Sequence, residues 1–128
     1  MRRVRPTSAL PTESDEQIAL FRWAAYESNA HPELRMMYHI PNERKCSPQQ
    51  GARMKAEGRK PGVPDICLPV PKGGYHGLYI ELKRTKGGRV TEEQQGWIKA
   101  LDRCGYRAEV CRGWDAARQV IEEYIKGG

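Results

Sequence analysis

The chain has 128 residues, 38% hydrophobic and 30% charged, which fits one domain with a single core and a wet surface. No apolar run approaches the roughly 20 residues that span a bilayer, and the basic start Met1-Arg2-Arg3-Val4-Arg5-Pro6 lacks the apolar stretch of a signal peptide. A formal net charge of +6 and a pI near 9.3 favour a polyanionic partner.

Residues 1–12 hold three arginines and two prolines without periodicity and are expected to form a mobile basic arm. Ser14-Asp15-Glu16-Gln17 has capping-box spacing and predicts a helix to about Ser28. Its apolar stripe is Ile18, Phe21 and Ala25, widened by Leu20, Trp23 and Ala24. Glu16 falls in the first turn, where the helix dipole favours a carboxylate whatever its function. Glu13 lies one turn earlier and is expected outside the helix. His31-Pro32 ends this region, and Leu34 to Ile40 is a short apolar run stopped by Pro41-Asn42. His39 is expected to be packed or exposed rather than part of a site.

Cys46 to Gly51 reads as a loop and residues 52–58 as a short helix ended by Gly58. Arg53, Lys55, Arg59 and Lys60 make this stretch basic, either as a solvated face or as phosphate contacts. Val63 to Val70 and Leu78 to Lys83 then read as two strands, and Pro71-Lys72-Gly73-Gly74 between them predicts an antiparallel hairpin. On the second strand Leu78, Ile80 and Leu82 point one way, and Tyr79, Glu81 and Lys83 the other. Asp65 follows Pro64, which cannot donate to a ladder and suggests a strand start, an edge or a bulge. If the strands pair, Asp65 and Glu81 converge, and two carboxylates coexist there only with a cation between them or a proton on one.

Arg84-Thr85-Lys86-Gly87-Gly88-Arg89 reads as a flexible basic loop. Thr91-Glu92-Glu93-Gln94 is a second capping box, opening a helix that turns Trp97, Ile98 and Leu101 inward and ends before Gly105. Tyr106 to Cys111 is a third strand, expected parallel to residues 78–83 by way of the helical crossover. Gly113-Trp114-Asp115 leads into a last helix packed through Ala117, Val120, Ile121, Tyr124 and Ile125. Cys46, Cys67, Cys104 and Cys111 have no zinc-ligand spacing, and Cys67, Cys104 and Cys111, in or beside apolar stretches, are expected to be reduced core residues.

Pro64-Asp65 followed by Glu81-Leu82-Lys83, sixteen residues on (81 − 65 = 16), resembles the PD-(D/E)xK nuclease motif. The surrounding phrases are similar to the virus-type replication-repair nuclease (VRR-NUC) domain over roughly residues 13 to 125. They are Asp15-Glu16-Gln17, Leu34 to Asn42, Lys55-Ala56-Glu57-Gly58, Gly62-Val63-Pro64-Asp65, Gly77 to Lys83, Gln94 to Trp97 and Gly105-Tyr106. Glu43 stands where family members often have glycine, so the loop after Asn42 is expected to differ in shape.

The resemblance implies an α/β fold with a restriction-endonuclease-like core, a small mixed sheet flanked by helices, in a single domain over 13–128. It implies Asp65, Glu81 and the Leu82 backbone carbonyl as ligands of Mg²⁺ or Mn²⁺. Glu16 would be the third acid, with Glu13 competing, and Lys83 would orient the attacking water. Gln94 either closes its helix cap or reaches the metal region. Lys55, Arg53, Arg59, Lys60, Arg84 and Lys86 are the expected DNA contacts. The activity implied is structure-specific cleavage of branched DNA such as four-way junctions, in replication, repair or recombination, by a cytoplasmic homodimer with no membrane partner and no room for an additional domain. A nicking, flap or restriction-type nuclease, or a DNA-binding module that does not cut, remains the alternative.

Overall fold

The computed structural model describes residues 10–41 and 47–127. The expected arm lies mostly outside these residues, as do Asn42, Glu43 and Cys46. In chain order come α1 (Glu13–Glu27), a 3-10 helix (Pro32–Met36), β1 (Tyr38–His39), α2 (Pro48–Ala56), β2 (Ile66–Leu68), β3 (Leu78–Lys83), α3 (Glu92–Arg103), β4 (Arg107–Arg112) and α4 (Trp114–Ile125). The strands form a mixed sheet in the order β1-β2-β3-β4. The first two pairings are antiparallel, and β3 and β4 run parallel from Leu78↔Arg107 to Lys83↔Arg112. This is the expected α/β architecture, with β1 added at one edge.

β3 is central, and all its residues but Tyr79 are buried. Leu78, Ile80 and Leu82 join Leu20 and Ala24 of α1 and Ala117, Ile121 and Tyr124 of α4 in the core. The other face meets α3, whose Gln94 bonds to Glu81, and Tyr106, whose ring packs edge-on against Tyr79. Truncating a core leucine such as Leu20, fully buried, costs about 2–5 kcal/mol.

Several expectations shift. The cap of α1 is Thr12, not Ser14: Thr12 Oγ1 accepts the Asp15 N–H and the Asp15 carboxylate returns to the Thr12 N–H. The buried stripe is therefore Glu16, Leu20 and Ala24, while Ile18 and Ala25 face solvent. α2 starts earlier than read, because Ser47 and Gln50 close a capping box with Pro48 in the first turn. The first hairpin strand is shorter, with prolines at 64 and 69 bracketing its ladder. Cys67 and Cys111 are buried thiols as expected, but Cys104 is exposed at the end of α3.

Candidate active site

Asp65 sits just before β2, opposite the end of β3. Its Oδ2 accepts the Leu82 N–H at 2.9 Å, so a side chain takes a donor that a longer β2 would have paired. Its carbonyl accepts the Ile40 N–H at 2.6 Å and lies 3.0 Å from His39 Nδ1. A carbonyl only accepts, so Nδ1 carries the hydrogen in that contact. Asp65 is thus braced on β1 through its backbone and on β3 through its carboxylate. Behind it, Gly62 has φ +88°, and a Cβ there would meet the Glu93 backbone at 2.6 Å. Only glycine lets the approach to Asp65 lie this close to the first turn of α3.

Glu81 is 2% exposed and Lys83 6%. Glu81 Oε2 accepts from Gln94 Nε2 at 3.0 Å and lies 3.4 Å from Lys83 Nζ. Glu81 Oε1 is buried with no hydrogen-bond partner among the described residues. Gln94 answers both readings at once: its Oε1 accepts the Thr91 N–H of the α3 cap while its Nε2 holds Glu81. Burial first, and the neighbouring Asp65 charge second, push the Glu81 carboxyl up to about 8. Burial also raises Asp65. At neutral pH the pair retains a proton that two solvated carboxyls would have lost.

These groups open on a cavity of about 240 Å³, lined also by Glu13, Ser14, Gln17, His39 and Leu82. The first turns of α1 and α3 both contribute to its wall, where a helix favours an anion.

Glu16 does not reach this cavity. It is buried, and its Oε1 accepts the Trp114 N–H at 2.9 Å, capping α4 from 98 residues away. The expected third acid thus has one oxygen, Oε1, engaged in tying α1 to α4. Glu13 takes the place at the cavity and, contrary to expectation, is the first residue of α1. His39, set aside in the sequence, also lies in the wall. No local pattern marks either residue; the contacts that place them are long-range.

Among the described residues no group of three or more His, Cys, Asp or Glu gathers closely enough to hold a metal ion. The protein offers a carboxylate pair, Asp65 and Glu81, with Leu82 beside it. Hard oxygen donors and an unpaired buried carboxylate oxygen fit a divalent cation that keeps most of its waters, as Mg²⁺ does.

The expected DNA contacts stand outside the cavity. Arg53 and Lys55 are exposed on α2, which buries none of its residues. Arg59 and Lys60 line a separate groove with Met54 and Trp97. Arg84 and Lys86 belong to the loop after β3, which is not free: Arg112 donates to the carbonyls of Gly87 at 2.6 Å and Gly88 at 3.0 Å.

With this geometry in hand, the comparisons agree. The VRR-NUC domain model matches residues 12–115. A solved VRR_NUC domain protein is similar at 32% identity with a TM-score of 0.79, over 91% of this chain and 90% of that one. No curated protein matches the chain.

Proposed function

The chain belongs to the VRR-NUC domain family, a family of nuclease type, and from that premise we propose a divalent-metal-dependent, structure-specific DNA endonuclease. One observation carries the reading. The buried Glu81 carboxylate and the half-buried Asp65 stand beside a buried lysine, and Glu81 Oε1 is unsatisfied among the described residues. A structural ion pair would satisfy that oxygen; a cation site leaves it free.

Bound Mg²⁺ or Mn²⁺ would neutralise the phosphate, activate water and stabilise the leaving oxygen. Asp65 and Glu81 would hold it, with the Leu82 carbonyl as a further oxygen. Gln94 fixes the Glu81 carboxylate through Oε2 and so presents Oε1. Lys83, desolvated beside Glu81, orients the attacking water and offsets charge growing on the phosphate. Glu13, at the cavity wall, takes the role of third acid through water.

The substrate we propose is branched DNA such as a four-way junction, cut by a homodimer. Two sites related by a two-fold axis suit two strands related the same way. The exposed Ile18 and Tyr26 on the outer face of α1 give such a dimer apolar surface to cover. Labelled duplex, flap, splayed-arm and four-way-junction DNA, each incubated with Mg²⁺, Mn²⁺ or chelator, test both halves. Metal-dependent cutting of the junction is expected. Cutting that survives chelation removes the metal, and equal cutting of linear duplex removes the structure preference. A monomer by light scattering with substrate present removes the dimer.

A further inference from the structure

The loop that leaves β3 runs along the lip of the cavity. An added Cβ on Gly88 would lie 3.2 Å from Glu13 Oε2 and 3.8 Å from Lys83 Cδ. Gly87 and Gly88 have φ of +76° and +67°, a double left-handed bend open to glycine alone at low cost. Arg112 fixes that bend by turning both glycine carbonyls onto one guanidinium. It stands opposite Lys83 in the β3–β4 register, so the clasp is anchored at the level of the reacting lysine. Thr85, Lys86 and Arg89 complete a shallow cleft around it. Beneath the loop Arg84 Nε is buried without a partner among the described residues. Four cations thus surround a short bend, and one buried donor lacks an acceptor.

Resting on the nuclease reading, the geometry points to this loop as a phosphate clamp. Lys86 and Arg89 grip the DNA backbone next to the scissile phosphate, and Arg112 is the positioning residue that keeps the loop in its gripping shape. Arg112 acts through the loop, its Nη1 and Nη2 donating to the carbonyls of Gly87 and Gly88. The occupant is a nucleic-acid phosphate because the cleft is basic and continuous with the cavity wall at Glu13 and Lys83.

The test separates binding from chemistry. Affinity for labelled four-way-junction DNA is measured in chelator across a salt series, and single-turnover cleavage is measured with saturating protein and Mn²⁺. The Lys86→Ala/Arg89→Ala double variant is expected to bind about tenfold more weakly. Its slope of log affinity against log salt should be shallower by about 1 to 2, as for one or two lost phosphate contacts. Arg112→Ala should show the same weakening, and Arg112→Lys should not rescue it, because an ammonium restores charge but not the two-carbonyl fork. Wild-type binding in both the double variant and Arg112→Ala overturns the clamp. Full rescue by Arg112→Lys overturns the positioning role. A wild-type protein that never cuts, yet loses affinity in these variants, leaves the clamp standing and fails the nuclease reading instead.

Discussion

The end of β3 and the helix α2 both carry charge and keep it in opposite ways. At β3, Glu81 and Lys83 are withdrawn from water and share a single contact of 3.4 Å. On α2 nothing is buried, and Arg53 and Lys55 stand in solvent. Withdrawing ionisable groups from water costs several kcal/mol each, met here in part by the proton that the carboxyls retain. A fold tolerates that cost where chemistry uses the ions. Exposed charge costs little to maintain and acts through a field that salt screens.

The largest effects should come from the buried end. Asp65→Ala, Glu81→Ala or Lys83→Ala is each expected to lower the single-turnover cleavage rate by about a thousandfold, near 4 kcal/mol, with an unchanged circular-dichroism spectrum. A Lys83→Ala protein cutting at the wild-type rate would put the buried lysine in the same class as the α2 cations.

Next come the two acids of the first turn of α1. Glu13→Gln should slow cleavage by about 10- to 100-fold and leave the melting temperature nearly untouched. Glu16→Ala strands the Trp114 N–H and should cost about 1–3 kcal/mol of stability, while protein that remains folded cuts normally. The opposite pattern would return Glu16 to the site.

The coupled carboxyls predict a pH signature. In the fold Glu81 keeps its proton to about 8, against an ordinary value of 4.5. Between those values the folded chain binds more protons than the unfolded one, so metal-free stability falls as pH rises. Melts in chelator should show a transition several degrees lower at about pH 8 than at about pH 5.5, with Glu81→Gln flattening the difference. Millimolar Mn²⁺ should restore the loss at the higher pH. A flat profile in wild-type protein would mean that the buried pair costs the fold nothing. The smallest effect belongs to α2. Arg53→Ala/Lys55→Ala should weaken DNA binding about two- to fivefold with a shallower salt slope and no change in the saturated rate.

β3 was legible residue for residue, because an uninterrupted run bounded by Gly77 and a basic loop leaves little else for it to be. The placing of Asp65 before the ladder followed from its proline. The start of α1 was not legible. Thr12-x-x-Asp15 and Ser14-x-x-Gln17 both have cap spacing, and the aspartate box won, which put Glu13 inside the helix and turned Glu16 under it. The contacts that finish the site join residues 16 to 114, 39 to 65 and 112 to 87. No periodicity in the chain carries such pairings; they exist only once the sheet has brought its ends together.

The tether from Glu16 to the start of α4 also sets an order of events during synthesis. α1 is made before the donor that seats it, which comes 98 residues later. Until then the Trp114 N–H is not there to seat α1 against α4. A nascent chain can carry Asp65, Glu81 and Lys83 before α4 completes the core, so cutting power should arrive only once α4 has been made.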